Sequence, residues 1–516
     1  MITRADPTRT TQGAVIGARH PGLVLACICA STVLVVGFVA SINLAVPKLA
    51  AGVLHPSAAQ LLWIVDTYVV LFACLVIPAG ALGDRVGRKG VLISGLVVFA
   101  LGATVSACAP DVALMLVGRA VTGVGAACIL PNALAVLIHA IEPARRPRAI
   151  GVWAAMSGIG GIVGNVGGGA ILAGGSWRWL FIAVVPIALA CAVWTAVGAP
   201  RSAKNDRKLD LRAAVLLTLA TLALLLGIIQ GPEQGWGSVV VIGAFCVAAL
   251  MFALWVIGEL RVPEPLLDPR LFALPALRAA CLGMLVIFFG MFGFFYLNAS
   301  LLQYGRGFGV LQAGLGVLPM TVPLVVGARR VPALVQRAGE GAVLAVAFLL
   351  VSVGLYGLAS ALHQGYPVYA CWLVVIGAGV TLALPTLTAA IAAALPAERA
   401  GVAGGLQATT RELGSALGVA IIGTLLTSRF THELSTSVAG VRIAGHTPRT
   451  VAEALAAAPA HHHAVIAAYT SGGAAALKVV SLLVFVAGVL VIAEMTWAGR
   501  RGGQSVTAQV VSTTTP

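Results

Sequence analysis

Long apolar runs, separated by short polar breaks, dominate this chain. A helix needs about 20 apolar residues to cross the hydrocarbon core of a membrane. Runs of that order fall near 23–46, 60–82, 91–109, 112–137, 149–173, 179–199, 212–230 and 237–258. Others follow at 276–302, 309–327, 341–361, 367–392, 402–427 and 474–497, which makes fourteen. The pattern predicts an all-α membrane protein that reverses direction at each break. The stretch before the first run is polar, and that run is too long for the apolar core of a cleavable signal, so it reads as a retained span.

Composition agrees on the solvent. Hydrophobic residues make up 59% of the 516 residues, charged residues 9%, and the mean hydropathy is +1.01. A soluble domain carries roughly a quarter charged residues, so lipid must cover most of this surface. The net charge of +15 does not point to nucleic acid, because the basic residues stand singly between apolar runs rather than on one face. They set topology instead. With the N-terminus inside, the outer side holds only Lys48, Arg178, Arg306, Arg429, Arg442 and Arg449, and most other basic residues fall inside. That places both termini on the cytoplasmic side of a bacterial-type inner membrane.

Several chemistries drop out. The nine cysteines lie in apolar runs without paired ligand spacing, so neither a disulfide framework nor a zinc site is indicated. His461, His462 and His463 fall in the connection 428–473, expected outside, and three adjacent imidazoles converge poorly on one ion, so no metal site is expected. No phosphate-binding loop is present to hydrolyse ATP, and no cofactor is expected. Transport would be passive or driven by an ion gradient.

Basic residues inside spans are Arg119, Arg411 and Lys478, and the acids to weigh against them are Asp66 and Glu412. An ionisable group at the centre of a span costs roughly 2.5–3.5 kcal/mol, so each is a functional candidate. Asp66 and Arg119 both lie roughly 10–12 Å below the outer boundary at 1.5 Å rise per residue, and so are able to meet. Asp66 is the expected proton carrier, with Arg119 tuning and relaying its charge state; a static buried pair that fixes packing is the alternative. Arg411 and Glu412 are neighbours pointing about 100° apart, so each is expected to need its own partner or water. Glu412 is a second proton-site candidate if the span begins early enough to bury it.

The break between the second and third runs carries Gly80, Gly83, Asp84, Arg85, Gly87, Arg88 and Lys89. Glycines at this spacing let two helix ends approach, and the charges suit a latch made in one conformation and broken in another. The segment resembles the loop signature of the major facilitator superfamily. Other segments resemble its fourteen-helix drug:proton antiporter branch: Arg119 with Gly123 and Gly125; Gly160, Gly164, Gly167, Gly168 and Gly169 in the fifth run; Trp177, Arg178, Trp179 and Phe181; Trp63, Asp66 and Tyr68; and Arg411, Glu412 and Gly414. Two positions depart from that pattern. Phe38 stands five residues before the Asn43, Ala45, Pro47 element, where the branch often has an aspartate. Asn165 follows Gly164, where a proline is usual.

The resemblance implies two six-helix bundles, 23–200 and 276–497, joined by a linker, 201–275, with an inserted helix pair. Tails at 1–22 and 498–516 would be cytoplasmic. It implies a monomeric, proton-coupled exporter of hydrophobic drug-like molecules, not an enzyme. The glycines of the fifth run, with Asn165, would serve helix approach and sliding. Asn43, Tyr68, Phe292 and Tyr296 are the candidates for lining a substrate cavity, among further aromatics at Phe288, Phe289, Phe294 and Phe295 for which packing is the competing role. A dedicated exporter of one endogenous metabolite, and a non-transporting membrane sensor or assembly partner, are the other readings.

Overall fold

Hydrocarbon offers no partner to a peptide N–H or C=O, so a chain this apolar must satisfy its backbone within helices. The computed structural model describes residues 21–50, 54, 56, 58–200, 210–263, 265–395, 400–437, 448 and 450–513. Fourteen helices among them are long and apolar enough to cross a membrane. We number these α1 (Pro21–Ala50), α2 (Ala58–Val86), α3 (Arg88–Ala107), α4 (Val112–Ala140), α5 (Arg146–Ala173), α6 (Arg178–Gly198) and α7 (Leu211–Gln234). There follow α8 (Val239–Glu259), α9 (Pro275–Ser300), the broken span α10 (Leu311–Ala338), α11 (Glu340–Ser360), α12 (Tyr366–Ala393), α13 (Ala400–Ser437) and α14 (His462–Thr513).

Three elements differ from the sequence reading. The break that carries Asp84 is no loop: α2 runs through Val86, α3 begins at Arg88, and Gly87 alone makes the corner at φ 113°. Only a residue without Cβ takes that conformation cheaply. The tenth span does not stop at 327 but continues to Ala338 in short α and 3-10 pieces, with Pro319, Pro323 and Pro332 removing amide donors along it. Among its described residues the connection 428–473 is largely helical. α13 extends to Ser437, a short helix spans Val451–Ala457 behind a Thr450–Glu453 capping box, and α14 already begins at His462.

The helices sort into two six-helix bundles, α1–α6 and α9–α14, plus the inserted pair α7–α8. Neighbour relations in the first bundle recur in the second, eight helices later. α1 packs on α5 as α9 packs on α13, α3 on α4 as α11 on α12, and α3 on α6 as α11 on α14. The seam between bundles obeys the same symmetry: α2 and α4 meet α13, while α10 and α12 meet α5. Helix α7 leans on both α2 and α13, across one side of that seam. Thr218 donates to the Cys74 carbonyl at 3.4 Å there.

Glycine sets the closest approach inside each bundle. A Cβ on Gly164 would fall onto the backbone of Gly37, and Gly160 and Gly168 rest on Val33, Val36 and Ser41 of the same helix α1. In the second bundle Gly414 and Gly418 of α13 lie on the Leu285 and Phe289 carbonyls of α9. Gly161, by contrast, faces open space. Gly164→Ala should therefore lower the apparent Tm of the purified protein, at an overpacking cost of about 1–3 kcal/mol. Gly161→Ala should leave it within error or raise it; thermal unfolding in one detergent checks both.

Candidate functional site

Arg119 occupies the centre of the first bundle, 0% exposed. Its side chain crosses from α4 to α2, where Nε donates to the Ile64 carbonyl at 2.7 Å and Nη2 to the Val65 carbonyl at 3.2 Å. The third nitrogen, Nη1, is buried without a hydrogen-bond acceptor. Aromatic faces cover the guanidinium: Tyr68 at 4.8 Å and Phe38 at 5.2 Å from its central carbon. Such contacts suit arginine, whose delocalised charge is weakly hydrated. Asp66 follows directly on the two clamping carbonyls, is half-buried, and its charge acts on Arg119. The structure thus brings Asp66 and Arg119 to one place.

Phe38, buried against Arg119, stands where the resembled pattern often has an aspartate. Its ring meets Tyr68, Phe99 and Phe181 edge-on at 6.0, 5.4 and 5.6 Å. Tyr68, expected on a cavity wall, is instead fully enclosed by these rings, and its hydroxyl donates to the Val35 carbonyl at 3.3 Å. The other cavity candidates are more open. Asn43 is exposed and turns its amide back to the Val39 carbonyl, Tyr296 is exposed, and Phe292 is half-buried between Phe288 and Phe295, each at 5.9 Å. Asn165 is half-buried on an α5 that runs unbroken past it. Gly169 approaches Leu44 of α1 and Leu311 of α10.

From Tyr68 an aromatic row leads into the second bundle. Tyr68 stacks on Phe72 at 6.3 Å, and Arg411 of α13 lies over Phe72 at 5.6 Å and Phe288 at 5.8 Å. Arg411 and Glu412 are both well inside α13, with side chains 10% and 9% exposed. They do not take separate partners as the 100° rule suggested. Arg411 donates through Nε and Nη2 to the same Glu412 oxygen at 2.9 and 2.7 Å. The arginine stem is long enough to curl back along the helix, which backbone direction alone does not foretell.

At one end of the seam a second ionic cluster draws the bundles together. Arg88, 4% exposed at the start of α3, donates through Nε to Asp84 at 2.7 Å, and its Nη1 lies 2.7 Å from Nδ1 of His139 on α4. The other Asp84 oxygen accepts from the Val402 N–H at 3.2 Å, in the first turn of α13. A helix N-terminus carries unmet N–H groups and partial positive charge, so a carboxylate is favoured there. Gly83 leaves room for Asn132 of α4, which donates to the Ala79 carbonyl at 3.2 Å; a Cβ there would overlap its amide. Gly80 is buried one turn earlier, whereas Arg85 is exposed and stands outside the cluster. Gly404 and Gly405 of α13 complete the contact, with ideal Cβ positions 2.8 Å from Pro131 and Ile77. His139, Gly37, Gly404 and Gly405 escaped the sequence reading. The Gly414-x-x-x-Gly418 spacing was the one visible signal for the α13 half of the symmetry.

Two pseudo-symmetric bundles with ionised groups buried at their seam define a polytopic membrane transporter. The chain belongs to the Major Facilitator Superfamily, whose sequence profile it matches over residues 28–419. It is 30% identical over 379 residues to the tetracenomycin C resistance and export protein of Streptomyces glaucescens, covering 73% of this chain and 70% of that one. Identity to the multidrug resistance protein Stp of Mycobacterium tuberculosis is 31% over 366 residues, covering 70% and 68%. In fold it resembles the human organic anion transporter MFSD10 (TETRAN), with TM-score 0.62 at 16% identity over 91% of this chain and 99% of that one.

The Arg411–Glu412 pair gives a direct test of burial. Glu412→Gln alone leaves an uncompensated guanidinium and should cost about 3–5 kcal/mol of stability, while Arg411→Met with Glu412→Gln should cost less than the single change. A double-mutant cycle on thermal or denaturant unfolding measures the coupling.

Proposed function

We propose that the chain exports hydrophobic, drug-like small molecules across the bacterial cytoplasmic membrane by proton-coupled alternating access, acting as a monomer. The observation that carries this reading is the fully buried Arg119, fixed to the α2 carbonyls that adjoin Asp66. A guanidinium so placed makes the charge of the nearby carboxylate matter to the packing of α2 against α4. Protonating Asp66 removes half of the pair, and the remaining cation must find other compensation. Substrate binding and proton binding then compete for one conformational balance rather than for one atom.

In this reading the Asp84 end is cytoplasmic, as the basic residues of the sequence favour, and both termini lie on that side. The Asp84–Val402 contact holds that end shut, so the cavity is served from outside. Proton uptake at Asp66 from the outer side accompanies drug release, and separation of α2 from α13 then reopens the inner end. Glu412, paired with Arg411 at the far end of the aromatic row, is the second proton site.

A narrower reading is favoured by the S. glaucescens relative, whose name couples resistance to export of a single antibiotic. The first bundle also presents Phe38 to Arg119 where a carboxylate would attract a cation. Both fit a dedicated exporter of one neutral metabolite.

Ethidium efflux from everted vesicles, with a protonophore control, tests the proposal. Wild-type flux should collapse with the gradient, and Asp66→Asn should abolish coupled flux. Coupled flux that survives in Asp66→Asn removes Asp66 from the proton path and leaves Glu412→Gln as the next variant. A folded protein with no ethidium flux supports the narrow exporter.

A further inference from the structure

The inserted pair ends in a feature that lies apart from the site described above. Glu259, the last residue of α8, is 2% exposed, and neither of its carboxylate oxygens forms a hydrogen bond. The backbone N–H groups of Leu266 and Leu267 face it without completing one. One turn earlier, the indole N–H of Trp255, 5% exposed, also has no acceptor. Residues four apart share a helix face. A buried donor and two buried acceptors therefore stand unmet at the same end of α8, a costly arrangement for a chain folded without a ligand.

Glu259 opens into a cavity of about 270 Å³ that it shares with Arg261, Asp268 and Arg270. The charges are layered. Glu259 forms the buried floor, and the negative charge of Asp210 acts on it from α7's N-cap. Asp268 caps the Arg270 N–H at 2.9 Å. Arg270 also reaches the Leu260 carbonyl at 3.2 Å, while Arg261 is exposed and forms no ion pair among the described residues. The mouth is thus cationic over an anionic floor. It lies where a membrane span ends, on the least enclosed of the fourteen spans among the described residues, with only 17% of its apolar window buried by protein.

We propose that this cavity binds a phosphoethanolamine zwitterion, its ammonium on Glu259 and its phosphate on Arg261 and Arg270. An ammonium supplies the donors that the Glu259 oxygens lack, and the two arginines at the mouth supply donors to the phosphate. A trimethylated ammonium has no N–H to donate, and a plain phosphate or phosphatidylglycerol meets Glu259 and Asp210 as like charges. The chemistry belongs equally to a phosphatidylethanolamine headgroup and to free phosphoethanolamine. The position at the end of an exposed span favours the lipid.

Native mass spectrometry of the purified full chain, offered phosphatidylethanolamine, phosphatidylcholine or phosphatidylglycerol of matched acyl chains, tests this. The wild type should retain phosphatidylethanolamine about tenfold more strongly than phosphatidylcholine, the worth of a charge-assisted hydrogen bond. Glu259→Gln keeps the shape and should erase that preference. Arg261→Ala, an exposed change that leaves the helices intact, should weaken phosphatidylethanolamine retention while the fold is unchanged. Displacement of the lipid by millimolar phosphoethanolamine would extend the site to the free zwitterion; resistance to displacement would assign it to lipid. Equal retention of the two lipids by wild type, or a preference unchanged in both variants, overturns the proposal.

Discussion

Helices in lipid gain little by hiding apolar side chains from one another, so the closeness of their backbones decides how they hold together. In this chain that closeness is concentrated in two equivalent places. Gly164 of α5 lies on Gly37 of α1, and Gly414 and Gly418 of α13 lie on the carbonyls of α9. The contacts are within bundles, at positions related by the internal repeat, and each stiffens one half of the molecule. The seam between halves relies on fewer backbone approaches, chiefly Gly404 and Gly405 against α4 and α2, whereas Gly377 of α12 lies on Met320 of α10 within the second bundle. Gly377 thus pins the tenth span to its own bundle at the point where its prolines break it. Two firm halves with a limited seam are what rocking motion requires.

Buried charge follows the same division. Arg119 lies wholly inside the first bundle and Glu412 in the second, but the rings between them do not respect the boundary. Phe72 belongs to α2 and carries Arg411 of α13 on its face. A cation–π contact tolerates lateral sliding far better than a bidentate ion pair, because the ring presents a broad face rather than fixed acceptors. The ion pairs made within one bundle, Arg411–Glu412 and Arg278–Glu494, therefore lie on helices that keep their neighbours, whereas contacts across the seam are of the more forgiving kind. The Asp84–Val402 hydrogen bond is the directional exception, placed at one end of the seam.

Most of the fold was legible because its cause is local. A run of apolar residues long enough to span lipid has one stable solution, and each of the fourteen runs became a helix. Boundaries were less legible where polar residues continue a helix beyond the apolar stretch, as in α13 after 427 and α14 before 474. Gly87 shows the opposite case: a sequence rich in glycine and charge was read as a loop, yet a single left-handed residue suffices for the turn. In the site, the types of residue were visible and their pairing was not. Asp66, Arg119, Arg411 and Glu412 stand out as ionisable groups in apolar surroundings. Side-chain length decided that Arg411 folds back on its neighbour, and tertiary packing decided that Tyr68 is walled in by Phe38, Phe99 and Phe181. Neither is encoded in spacing.

Helices α2 and α13 carry nearly all of the chemistry, and this bears on coupling. α2 holds Asp66 near one end and Asp84 near the other, about 27 Å apart at 1.5 Å rise per residue. α13 holds Val402, which receives Asp84, and then Arg411 and Glu412 two to three turns further on. In the proposed cycle a change of charge at Asp66 alters how α2 sits on Arg119, and α2 carries that shift toward the Asp84 contact as a rod with one weak turn. Pro78, between the two, is where the rod is free to bend, since it cannot supply the amide hydrogen that would tie that turn. Helix α7 leans on both α2 and α13, so any change in their separation must move it or slide past it. In the proposed cycle the inserted pair is therefore in series with the seam, and a lipid held at the foot of α8 would resist or guide the same motion.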